Sequence, residues 1–140
     1  MKKSLLCLLA VVVSGCQLND PRPPMERATV SAVANQVCIR VQPEGDETIG
    51  AIYIEEVGNV SRKLDQRFGE NGSERPVVSA DNCVPTANYL FIPDRAYNVA
   101  VELYSADKVK KHITPHRRDF SVQFSIWRDN GGVLQAAAQY

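Results

Sequence analysis

Hydrophobic and polar positions along the 140-residue chain fall into two regimes. Residues 5–13 are an unbroken apolar run behind Lys2 and Lys3. After residue 27 apolar positions alternate with polar ones, the period-two pattern of half-buried strands. Such runs occupy 28–33 (ATVSAV), 36–42 (QVCIRVQ), 49–57 (IGAIYIEEV), 97–105 (YNVAVELYS), 120–128 (FSVQFSIWR) and 133–138 (VLQAAA). The same reading predicts a weak edge strand at 62–68 and short strands at 77–80 and 88–92. No stretch in this part carries a helical stripe. Many short strands with turns between them and no helix predict an all-β fold, an antiparallel β-sandwich. The alternation points Val37, Ile39, Val41, Ile52, Ile54, Tyr97, Val99, Val101, Leu103, Phe120, Val122, Phe124 and Ile126 inward. It leaves Cys38, Tyr53, Tyr104 and Trp127 on outer faces.

The stretch FIPDRAYNVAVELY sharpens the fold. With Phe91, Pro93, Tyr97, Val99 and Val101 at its key positions, it resembles the run that leads into strand F of fibronectin type III and related immunoglobulin-like domains. In those domains the tyrosine hydroxyl bonds back to the backbone a few residues upstream. The resemblance covers about a dozen residues and lacks the core tryptophan of the third strand, where this chain has Ile52 and Tyr53. It implies an immunoglobulin/fibronectin type III-like sandwich without fixing strand order.

The apolar run at 5–13 changes the picture of where the domain sits. It is too short to span a bilayer, which takes about 20 apolar residues, and polar residues with prolines follow it. Two lysines, the apolar run and then Val13-Ser14-Gly15-Cys16 resemble a bacterial lipoprotein signal. The resemblance implies cleavage before Cys16 and lipid on that cysteine. Residues 1–15 are then a signal peptide, 16–27 a lipidated, proline-rich tether and 28–140 the sandwich domain. An extended tether at about 3.1 Å per residue would hold the domain some 30 Å from the membrane. Gln17 is not the aspartate that favours inner-membrane retention in enterobacterial lipoproteins, which implies an outer-membrane protein facing the periplasm.

The full chain has 16 basic and 16 acidic residues. Loss of the first 15 residues, which carry Lys2, Lys3 and no acid, leaves 125 residues with 14 basic and 16 acidic, a charge of −2. That is one domain, and nothing in its charge calls for nucleic acid. Cys7 leaves with the signal and Cys16 takes the lipid, so Cys38 and Cys83 are the remaining pair. In an oxidising envelope a disulfide is the default, and two thiols alone do not complete a zinc site. With Cys38 on an outer face, the bond would pin the loop before residue 88 across one sheet instead of joining two.

Candidate binding residues come in two groups. Tyr53, Tyr104 and Trp127 share an outward register on strands that would be neighbours, as anchors for a protein partner do. Aromatics are favoured in strands in any case, so a covered sheet face would look the same. Lys108, Lys110, Lys111, Arg117 and Arg118 concentrate positive charge in SADKVKKHITPHRRD, suited to an acidic protein surface or to lipid headgroups, or simply solvated. Within it His112 and His116 have ligand-like spacing, but Pro115 prevents a helix from aligning them, so no metal or cofactor is expected. No phosphate-cradling loop, G-x-S-x-G elbow or HExxH occurs, so an enzyme is not expected and no catalytic residue is assigned. The DNGG at 129–132 reads as a hairpin turn.

The lipoprotein signal, DPRPPMERATVSAVANQVC, the second cysteine in NCVPTANYLFIP and the YNVAVEL strand together make the chain similar to small enterobacterial lipoproteins described as type VI secretion immunity proteins. That resemblance implies a membrane-anchored periplasmic protein that binds and blocks a toxic protein effector, by occlusion and not by chemistry. The residues themselves indicate an anchored, disulfide-bonded binding module, and a structural or accessory lipoprotein of a secretion or surface-assembly system remains open.

Overall fold

A computed structural model describes residues 23–70 and 73–139. The expected signal peptide, the lipidation at Cys16 and the tether up to residue 22 lie outside the described residues. The elements are β1 (Met25–Arg27), β2 (Thr29–Val33), β3 (Gln36–Arg40), β4 (Thr48–Glu56), β5 (Asn59–Arg67), β6 (Arg95–Tyr104), α1 (Ala106–Lys110), β7 (Arg117–Arg128) and β8 (Leu134–Ala138). One sheet runs β1-β7-β6-β4-β5, with β8 also paired to β7, and β2-β3 form a second, two-stranded layer. The chain is an all-β sandwich. Every strand pair is antiparallel except β1 with β7, which is parallel.

The alternation of the sequence becomes the core. Ile39, Val41, Ile52, Ile54, Tyr97, Val99, Val101, Leu103, Phe120, Val122, Phe124 and Ile126 are all buried in one cluster, with Val37 packed against it. Burial of this apolar surface is the main force holding the layers together. Tyr97 makes the corner expected of it: its hydroxyl accepts from the Ile92 amide at 2.7 Å and donates to the Ile92 carbonyl at 3.3 Å. Its ring packs among Tyr89, Phe91 and Phe124.

The thin second layer is completed by irregular chain. Cys38 is bonded to Cys83, and the next amide, Val84, donates to the Ile39 carbonyl at 2.7 Å. The disulfide does lie across the outer side of β3, as the register implied, yet Cys38 is only 1% exposed because the pinned segment covers it. From there the chain crosses beneath the large sheet to β5, where the Tyr89 hydroxyl donates to the Arg62 carbonyl at 2.9 Å.

Four local expectations are corrected. The tether does not extend to residue 27, because Met25–Arg27 pair with residues 119–121 of β7; three residues are too few to show a period. Residues 88–92 form no strand, since Ala87 and Asn88 both take positive φ and turn the chain. Residues 77–80 contribute only the bridge Val77↔Thr48. A helix does follow β6: α1 is five residues long, with Ser105 accepting from the Lys108 amide and Asp46 from the Asp107 amide. Those caps supply what so short a helix cannot supply by propensity. Among the described residues no helix is long and apolar enough to cross a membrane.

Candidate functional site

Tyr53, Tyr104 and Trp127 stand on β4, β6 and β7, adjacent strands, and all on the outer face. The sheet nevertheless spreads them apart. Tyr104 is opposite Arg117 at one end of β7, Tyr53 is opposite Ala100, which is opposite Ser121, and Trp127 is at the other end opposite Gln135. Ten strand positions from 117 to 127 span about 33 Å, so the three rings do not form one anchor. Tyr104 is also occupied: the Arg75 guanidinium lies 3.9 Å from its ring centre, with Arg117 at 6.0 Å and His116 at 6.2 Å. Gly69 permits this, since a Cβ there would come within 2.3 Å of the Arg75 guanidinium. The Tyr53 hydroxyl bonds to the Glu55 carboxylate, which raises its pKa, as does burial.

The basic loop is divided by its surroundings. Lys110, Lys111 and Arg117 are exposed and Lys108 half-buried, with Lys111 paired to Asp107 at 2.8 Å and Arg117 to Glu102 at 3.7 Å. Arg118 is not a steering charge. It points inward, is 6% exposed, and binds Glu47 through Nε at 2.8 Å and Nη2 at 2.6 Å. Nη1 reaches Glu26 at 2.6 Å, Nη2 the Gln42 carbonyl at 2.8 Å, and the guanidinium lies 5.0 Å from the Phe120 ring centre. Burial alone would raise the Glu47 carboxyl, but the Arg118 hydrogen bonds and charge, with the Glu44 amide, hold it below its ordinary value. The Glu47 bonds correspondingly push Arg118 upward against the cost of burial. The periodic run was read only from Phe120, with Arg118 in the basic loop before it, so nothing local marked this arginine as a core ion pair.

The opposite end of the sandwich holds a feature the sequence did not reveal. A cleft of about 680 Å³ opens between Asn35, Gln36 and Val37 of the β2–β3 hairpin, residues 85–91 and Pro93, and Arg128 with Leu134 at the β7–β8 turn. The Asn35 carboxamide joins two walls, accepting from the Leu134 amide at 3.0 Å and from Arg128 at 3.1 Å. The β7–β8 turn itself is the expected one, with Asp129 accepting from the Gly131 and Val133 amides. Val33, Val57, Val60, Leu90, Trp127 and Val133, all notably exposed, are grouped about this end.

Backbone strain is concentrated here as well. Of six described non-glycine residues with positive φ, Ala34, Asn35, Ala87, Asn88 and Asp94 lie at or beside the cleft. The first four make two tight turns with the same Ala-Asn dipeptide, where glycine is usually favoured. Alanine in this region costs on the order of 1–2 kcal/mol. Such strain is characteristic of binding sites, where the surrounding fold over-determines it. The repeated dipeptide in VANQV and TANYL was the available signal, but it marks turns only once φ is known.

Residues 25–129 match the family model described as Domain of unknown function (DUF7480). The chain belongs to this family. The DUF7480 match begins at the first residue of β1, in agreement with the shortened tether, and ends within the β7–β8 turn. It therefore spans the hairpin, residues 85–91 and Arg128, leaving β8 and the Leu134 wall beyond it. None of the curated proteins and none of the solved structures matches the chain.

Proposed function

We propose that this DUF7480 protein is a lipid-anchored binding protein on the periplasmic face of the outer membrane, and that it neutralises a secreted antibacterial effector by occupying it. The observation that carries the binding reading is the position of the cleft relative to the anchored end. The Asp119 amide donates to the Pro24 carbonyl at 3.0 Å, so the described chain begins at the Arg117 end of β7. Lipid on Cys16 would lie within about 25 Å of Pro23, the reach of seven extended residues. The cleft and the exposed Val33, Leu90, Trp127 and Val133 are at the other end, presented away from the membrane. Exposed apolar groups around a concave, strained site suit a protein partner.

The effector identity rests on the resemblance carried by the lipoprotein signal and the cysteine-bearing stretches, and the mode of action on occlusion. The exposed Lys110 and Lys111 follow β6 at the Arg117 end, so they are not part of this surface. The test is survival. Cells lacking the gene should be killed by secretion-competent siblings, wild type should restore survival, and Leu90→Asp with Trp127→Ala should not, although folded and anchored. Equal survival with and without the gene would refute effector neutralisation. Co-purification of a resident envelope component in its place would make the protein an assembly accessory.

A further inference from the structure

The cleft contains an unused hydrogen-bonding edge. The Ala34-Asn35 turn makes Val33↔Gln36 the closing, hydrogen-bonded pair of the β2–β3 hairpin. Alternation then makes Ala32↔Val37 and Val30↔Ile39 the non-hydrogen-bonded pairs, whose N–H and C=O groups point to the far edges of the hairpin. The Val84 amide on the Ile39 carbonyl confirms that direction. Two residues toward the turn, Val37 lines the cleft, and among the described residues no backbone group bonds its N–H or C=O.

The sequence explains why the chain abandons this edge. The chain passes β3 antiparallel to it, Asp81 beside Arg40 and then Val84 on Ile39, so continued pairing would set Thr86 opposite Val37. Thr86, which that pairing would need, instead closes a turn, its carbonyl accepting from the Tyr89 amide at 2.9 Å. Ala87 and Asn88, at positive φ, carry the chain off toward β5. The pairing therefore stops after one bond, and the strained turn holds the cleft open.

We propose that an extended segment of the protein partner adds as a strand to β3 at Val37 and fills this cleft. The backbone edge would supply affinity, and alternate side chains of the segment would meet Tyr89, Phe91 and Leu134, which is how strand addition divides affinity from specificity. The volume is within the range of about 300–1,000 Å³ typical of binding sites. Among the described residues Arg128 is the only charged one lining it, so the segment is apolar and neutral or acidic. The inference rests on the reading of this end as a protein-binding surface.

The experiment uses the full-length lipoprotein in detergent micelles and a displayed library of short random peptides, with residue-resolved amide hydrogen exchange on the selected complexes. Selected peptides should slow exchange at Val37 by about tenfold or more and leave the β5 edge unchanged. N-methylation of those peptide amides that face β3 should abolish binding, while methylation of the intervening ones should not. Failure to select any peptide, binding without protection of Val37, or equal loss from both methylation sets would overturn strand addition. Concentration-dependent protection of Val37 without peptide would identify a second copy of this chain as the occupant, and would likewise overturn it. None of these results bears on effector neutralisation, which the survival assay decides separately.

Discussion

Arg118→Met tests whether the ion pair at the Arg117 end of β7 is part of the core. In the native fold the Arg118 and Glu47 side chains are 8% and 2% exposed and joined by two hydrogen bonds. Removal of the guanidinium leaves the Glu47 carboxylate buried with, among the described residues, the Glu44 amide as its one remaining hydrogen-bond donor, and breaking one side of a buried pair costs about 3–5 kcal/mol. That is a large share of the roughly 5–15 kcal/mol that holds such a domain together. At about 2 kcal/mol per molar urea, the midpoint should fall by about 2 M, read from the fluorescence of Trp127, the single tryptophan. Arg118→Met with Glu47→Leu should recover to within about 1 kcal/mol of wild type, since no buried charge remains.

The sign of the pH dependence follows from Glu47. Its folded pKa is depressed, so the stability it contributes is present above its unfolded value and lost as pH falls through the folded one. In Arg118→Met burial dominates and raises the carboxyl, so the penalty is fullest at neutral pH and fades on acidification. The gap between wild type and variant should therefore narrow from pH 7 to pH 4. A single variant that costs under about 1 kcal/mol at pH 7, or a gap independent of pH, would refute a buried, mutually dependent pair.

Replacing Cys38 and Cys83 by alanine should cost about 4 kcal/mol on the chain-entropy model for their 45-residue separation, measured by urea unfolding; two free thiols in the denatured, unreduced native protein would refute the bond. Ala34→Gly should stabilise by about 0.5–1 kcal/mol, relief of the φ +49° strain outweighing the entropy of an added glycine, and a loss in thermal or urea stability would show that the turn is unstrained. Lys110→Gln with Lys111→Gln should leave the partner's association rate at physiological salt within about twofold, because about 33 Å of strand separates them from the cleft end and the Debye length is about 8 Å. A tenfold loss in stopped-flow association would return the interface to the basic loop.

Much of this fold is written locally. A period of two assigns the inner and outer faces of β3, β4, β6 and β7, because side chains alternate along a strand whatever its neighbours do. Tyr97 and its flanking residues specify a corner that forms over five residues of chain. The Val13-to-Cys16 pattern and the two remaining cysteines make their expectations from composition and spacing alone. Tertiary structure decided what depends on residues far apart in the chain. Arg118 is ordinary loop charge until Glu47, 71 residues away, meets it inside the sandwich. Tyr104 and Trp127 share an outward register, yet only the pairing of β6 with β7 shows that they occupy opposite ends of the sheet. The cleft likewise has no local signature: its walls come from residues 35–37, residues 85–91 with Pro93, and Arg128 with Leu134, brought together by a disulfide, a hairpin and a sheet edge. Periodicity reports which way a side chain points, whereas a site depends on which distant segments arrive beside it, and only the packed chain fixes that.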